Sequence, residues 1–212
     1  LHYLHIAENW YHGSGEARFL IVYYPLYPLT IKLVKFLAGD YYIAGFIVSN
    51  LSLIIAGIFL YRLTEMDFGE EIAWRSLRYL LFFPFSFFLA IIYSDSLFLA
   101  LTLIALYYMR KQRWFLVGIV GLLASMTRNF GVLLVVPALV EYLQSSEIFD
   151  KIKKKQIDGV FKGFGWKWIF ILLIPIGTII YLLINWWVTG NCFTFLIYQR
   201  EHWHQNFGLV WN

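Results

Sequence analysis

The sequence predicts an all-α, polytopic integral membrane protein built as a helical bundle, and three observations carry that prediction. Hydrophobic residues make up 60% of the chain and charged residues only 14%, whereas about a quarter of a soluble domain is charged. Two stretches, Tyr41–Leu60 and Trp168–Val188, carry no charge at all, and each matches the ~20 residues that a helix needs to cross hydrocarbon. The basic residues gather in a few segments between apolar runs, as they do in loops on one side of a membrane. The net charge of +4 therefore reads as a topology signal and not as a nucleic-acid surface. The one cysteine, Cys192, has no internal disulfide partner. With neither an initiator Met nor a signal peptide, the chain reads as a fragment of a larger membrane protein.

The elements follow in order. Residues 1–40 read as a partial first outer loop with interfacial helices. Within it, Leu26–Gly39 carries Lys32 and Lys35 and begins beside Pro25 and Pro28, which suits an interfacial or re-entrant helix better than a full crossing. Residues 41–188 form the transmembrane region, with about six spans or half-spans from Tyr41 onward. Tyr79–Ser94, Ser96–Met109, Trp114–Thr127 and Asn129–Val140 are its short members. At about 1.5 Å per residue, Tyr79–Ser94 covers roughly 24 Å and Asn129–Val140 about 18 Å of ~30 Å of hydrocarbon. Residues 189–212 begin a further outer loop; Trp186 and Trp187, ending the last span, suit an interfacial belt.

Charge placement sets the topology. With Asp95 and Arg128 as turns on the outer side, cytoplasmic loops near 62–78, 110–113 and 145–167 collect Arg62, Arg75, Arg78, Arg110, Lys111, Arg113, Lys151, Lys153, Lys154, Lys155, Lys162 and Lys167. That is twelve of the seventeen basic residues. A single helix from Trp114 to Val140 would bury Arg128 at mid-membrane and divide those loops between two sides, so it is rejected. The short hairpins that meet at Asp95 and Arg128 place their tips below the outer surface, as the floor of a cavity open to the outside. All five histidines, His2, His5, His12, His202 and His204, fall in the two outer segments.

Two residues stand out as candidates for catalysis. Asp95 is the only acid between Glu71 and Glu141 and lies between apolar runs. A carboxylate there requires a wet cavity or a partner. It can cap a helix together with Ser94 and Ser96, or act as a base or sugar-hydroxyl acceptor in a low-dielectric pocket. Arg128 can snorkel from a hairpin tip, pair with Asp95, or grip a phosphate with its planar fork. For substrate binding, a helix over His2–Tyr11 would put His5 and Glu8 on one face, with His2, Tyr3, Glu8 and Tyr11 as candidates. Tyr93, Ser94 and Ser96 flank Asp95, and Arg200, His202 and Trp203 lie in a polar-aromatic stretch suited to a sugar platform or an interfacial belt. The chain has no phosphate-binding loop, dinucleotide fingerprint or zinc spacing, and nothing in it argues for a metal or another cofactor.

Four stretches together resemble a known family. His2–Tyr11 resembles its His-aromatic-Leu-x-Ile-Ala-Glu-x-Gly-Tyr, with Trp10 in place of the glycine. Tyr23–Leu29 is similar to Phe-Phe-Pro-x-aromatic-Pro-Leu, Tyr93–Phe98 to Tyr-Ser-Glu-Ser-Leu-Phe with Asp95 for Glu, and Ala124–Gly131 to Ala-Thr-x-x-Arg-Ser-Asn-Gly. The family comprises the mannosyltransferases that add the second mannose of the glycosylphosphatidylinositol anchor, with their prokaryotic relatives, in the GT-C class of membrane glycosyltransferases. The resemblance implies a GT-C-like helical bundle. It also implies transfer of a sugar, mannose above all, from a polyprenyl-phosphate donor to a lipid or glycan acceptor hydroxyl, with inversion and without a nucleotide. The family's catalytic Asp follows a Trp ahead of the first motif, which on this alignment falls just before Leu1; Asp95 then becomes a supporting residue. The membrane would be the cytoplasmic membrane of a prokaryote or, alternatively, that of the endoplasmic reticulum, and membrane lipids are the surrounding partners. A competing reading is a transporter or lipid flippase that uses Asp95 and Arg128 as an intramembrane pair; another is a non-catalytic membrane subunit.

Overall fold

A computed structural model describes residues 2–146 and 165–203 of the chain. Most of the expected basic loop at 145–167, together with Leu1 and the segment from His204 onward, lies outside the described residues. Helix accounts for 83% of the structure and no strand occurs among the described residues, so the all-α class holds. Two helical segments are long and apolar enough to cross a membrane, Tyr41–Phe68 and Trp166–Thr189. The molecule is an integral membrane protein.

Helix α1 (His2–Asn9) leads through a loop and a 3-10 segment (Glu16–Val22) into α2 (Leu26–Ala38), which is bent by 106° from that segment. Such a bend makes a broken span or a re-entrant loop. Gly39 in the left-handed region ends α2, and Asp40 accepts from the backbone N–H of Ile43 at 3.0 Å to cap α3 (Tyr41–Phe68). Small residues of α3, Ala44, Ser52 and Ala56 among them, are buried, so neighbouring backbones approach closely where hydrocarbon gives helices no hydrophobic reason to associate.

The segment 62–78 differs from expectation. It is helical on both sides of a sharp break at Gly69, where α4 (Glu70–Phe82) turns back along α3. Expected as one apolar run, Tyr79–Ser94 is broken instead. Pro84 forces Phe83 into an extended conformation, and only a single turn, α5 (Phe87–Ala90), follows. The Asn50 side chain donates to the Ala90 carbonyl at 3.0 Å and the Ser49 hydroxyl to that of Tyr93 at 3.4 Å, fastening this irregular backbone to α3. Buried backbone polar groups need such partners.

Helix α6 (Asp95–Arg110) runs alongside α3 and α7 (Trp114–Ser125) returns. A further 3-10 segment (Asn129–Leu134) then leads into α8 (Val135–Ser145), and a third (Trp166–Leu172) leads into α9 (Leu173–Thr189) and α10 (Thr194–Trp203). A Cβ at Gly177 would lie 2.2 Å from the Leu122 carbonyl oxygen, so α7 and α9 touch through bare backbone. At one end of the bundle Arg110 bonds Asp67 at 2.6 Å and lies 3.6 Å from Glu141, joining α6, α3 and α8. At the other end stand Asp95, Arg128, α1 and α10.

Candidate functional site

The site begins with two chain reversals. After α7 the chain folds back so tightly that a Cβ at Gly131 would come within 2.4 Å of the Ala124 and Ser125 backbone. Only glycine fits there. Thr127 ties the turn through its hydroxyl to the Leu123 carbonyl at 2.9 Å, and Arg128 leaves it in an extended conformation. Meanwhile the broken segment after Pro84 delivers Ser94 as the N-cap and Asp95 as the first residue of α6. A carboxylate in a first helical turn faces the positive end of the helix dipole.

These two reversals meet. The Arg128 Nη1 donates to Asp95 Oδ1 in an ion pair whose side chains are each a little over one-third exposed. The pairing left open by the sequence is therefore made. Asp95 and Ser94 are both expected as caps; the cap position falls to Ser94, whose side chain closes no capping hydrogen bond, while Asp95 is the first helical residue and its carboxylate holds Arg128.

Two cavities flank the pair. The larger, about 640 Å³, is lined by Asp95, Arg128, Tyr3, Tyr23 and Tyr93 and by the irregular segment around Phe83, Phe85 and Phe88. A smaller one, about 290 Å³, lies on the other side of Arg128, with Thr127, Asn129, Tyr24 and, from α10, Phe195 and Gln199. Arg128, Tyr3 and Tyr23 belong to both walls. One chamber is predominantly aromatic and apolar, the other offers amide and hydroxyl groups.

Tyr3 is the hinge of this arrangement. Its hydroxyl is 2.9 Å from Ser94 Oγ, and its ring meets Tyr23 and Tyr27 edge-on at 5.0 Å each. Burial, with Asp95 adding to it, pushes the phenol up to about 12, so Tyr3 is a neutral hydroxyl at physiological pH. His2 stacks on Tyr23 at 5.2 Å. Burial foremost, then the nearby His202 and His5, hold its imidazole below the ordinary value.

Other candidates fall elsewhere. Tyr11 is buried and donates to the Tyr23 carbonyl at 2.6 Å; it steadies the wall and lines neither cavity. Ser94 supports Tyr3 from a buried position. Ser96 is buried inside α6, its hydroxyl without a partner. Glu8 is exposed on α1, outside both cavity walls, and Arg200 and His202 are likewise exposed on α10. His202 packs flat on Phe19 at 4.4 Å, a structural contact. Trp203 ends α10, and its side chain lies outside the described residues. Sequence reasoning passed over Gln199, one residue from Arg200, and Thr127 and Asn129, which flank Arg128. A closer signal was available for the latter two, since a turn that delivers one side chain into a cavity exposes its neighbours as well.

Trp10 takes φ = 66°, the left-handed region in which side chains other than glycine are rare. The resemblance places a glycine at this position, and the backbone explains that glycine. In this chain a T-shaped contact with Tyr11 at 4.9 Å accompanies the strained conformation.

The chain belongs to the dolichyl-phosphate-mannose-protein mannosyltransferase family, whose model matches residues 24–162, more than half its length. That family is one of membrane glycosyltransferases. No curated protein and no solved structure matches the chain.

Proposed function

We propose that this membrane mannosyltransferase-family chain builds the donor-phosphate site of an enzyme that transfers mannose from a polyprenyl phosphate to a hydroxyl of a lipid or glycan acceptor. The observation that carries this reading is the position of Arg128 in the walls of two unlike cavities at once. A polyprenyl-phosphate sugar has three parts: an apolar chain, a phosphate and a sugar ring. The Phe-rich chamber suits the chain, the Arg128 fork suits the phosphate, and the smaller chamber with Asn129, Thr127 and Gln199 suits the ring.

In the reaction the acceptor oxygen bonds to the anomeric carbon as the carbon–oxygen bond to phosphate breaks, with inversion. The acceptor proton passes to a carboxylate and polyprenyl phosphate departs. Charge grows on the phosphate, and a fixed guanidinium beside it stabilises that state more than the ground state. Asp95 holds the guanidinium and is a positioning residue; the resemblance assigns the base to an Asp just ahead of the first motif. The order of the four motifs supports an acceptor of the glycosylphosphatidylinositol type or a prokaryotic counterpart, and composition supports the cytoplasmic membrane of a prokaryote.

A transfer assay with the full-length protein and polyprenyl-phosphate mannose tests this. Arg128→Ala and Asp95→Asn are both expected to lower turnover. Unchanged turnover in both variants would remove the assignment.

A further inference from the structure

Outside the walls of the two site cavities, α3 and α4 enclose an apolar groove of about 510 Å³. Its walls follow helical spacing, Ile54 and Ile58 from α3 facing Leu77 and Leu81 from α4. The two helices approach closely at Gly57, where a Cβ would lie 3.1 Å from Leu77 Cδ1. Its side chains look outward: Ile54 is 61% exposed and Leu81 52%.

One end of this groove is different. Tyr61 and Trp74 meet edge-on at 5.1 Å, the kind of amphipathic pair that sits at a membrane–water boundary. Arg62 and Glu65 line the same end. They stand one turn apart, about 4.5 Å along the helix axis, yet they do not pair with each other. The Glu65 carboxylate accepts from the Tyr61 hydroxyl at 3.3 Å, and Arg62 packs 6.0 Å from the Phe59 ring, with no carboxylate partner among the described residues. Arg75, Arg110 and Arg128 all have such partners.

We propose that this groove binds one zwitterionic phospholipid with an ethanolamine headgroup. Its acyl chain lies between α3 and α4, its phosphate on Arg62 and its ammonium on Glu65. Charge complementarity selects this occupant. Phosphatidylglycerol would set the same phosphate on Arg62 but bring no cation to Glu65, a choline headgroup has no N–H to donate to that carboxylate, and a wholly apolar occupant would leave both charges unanswered. The site is separate from the transfer site and does not depend on it.

Native mass spectrometry of the full-length protein, after exchange with mixed vesicles of phosphatidylethanolamine and phosphatidylglycerol, reads the preference directly. One retained phosphatidylethanolamine is expected, favoured about fivefold over phosphatidylglycerol, a ratio typical of one well-placed charge contact. Arg62→Ala should lower retention of both lipids by a similar factor, Glu65→Gln should erase the preference, and Ile58→Trp should fill the groove and expel the lipid. Equal retention of both lipids, unaffected by Arg62→Ala and Glu65→Gln, would mean an unselective lipid coat and overturn the proposal. So would a co-purifying protein, and no lipid, displaced by Ile58→Trp.

Discussion

Arg110 and Arg128 both stand near helix ends, and both hold a carboxylate, but they do different things. Arg110 has two partners, Asp67 and Glu141, drawn from two other helices; its guanidinium knits α3, α6 and α8 together. Among the described residues Arg128 has one carboxylate partner, Asp95, and it borders two cavities. A planar guanidinium carries five donors, so a single carboxylate leaves donors for a ligand. The contrast separates an arginine that completes a structure from one that awaits an anion.

Changing each arginine tests that contrast, and the largest effect is expected at Arg128. Arg128→Ala removes a donor aimed at developing charge and should lower turnover by about 10²–10³-fold, measured as mannose transfer from polyprenyl phosphate. Gly131→Ala should approach that loss without touching the site chemistry. Its Cβ would lie 2.4 Å from backbone, so the turn that presents Arg128 must move; transfer activity and the melting temperature should fall together. Asp95→Asn keeps the shape but loosens the hold on Arg128. A drop of roughly tenfold in turnover is expected, with Asp95→Glu recovering part of it.

The opposite end should behave otherwise. Arg110→Ala is expected to leave transfer within about twofold and to lower stability by at most ~1 kcal/mol, because its exposed ion pairs are screened by water. The smallest effect is at Trp10. Trp10→Gly relieves a left-handed backbone worth roughly 1 kcal/mol but gives up the Tyr11 contact, so thermal unfolding should shift little. Trp10→Ile, β-branched at positive φ, should destabilise.

Much of this was legible in the sequence for physical reasons. An acid inside sixty-odd residues without another is conspicuous because hydrocarbon penalises charge, and that made Asp95 visible. Arg128 was visible for the same reason. Their contact was not, since it joins residues thirty-three apart through two turns whose geometry depends on Gly131 and Pro84. The two uncharged spans were readable from length alone, whereas the run Tyr79–Ser94 misled because hydrophobicity does not register one proline. Tyr11 and Ser96 carry polar groups beside the right motifs, yet burial turns one inward as a brace and encloses the other. Gln199 reached the small cavity from a helix that periodicity could not orient.

The most direct measurement is binding of polyprenyl-phosphate mannose to the full-length protein, with Arg128→Ala and Arg110→Ala compared in one titration. Affinity should fall by at least about tenfold in Arg128→Ala, consistent with the loss of one charge-assisted contact, and stay unchanged in Arg110→Ala. Equal affinities in the two variants would contradict the assignment of Arg128 to the donor phosphate.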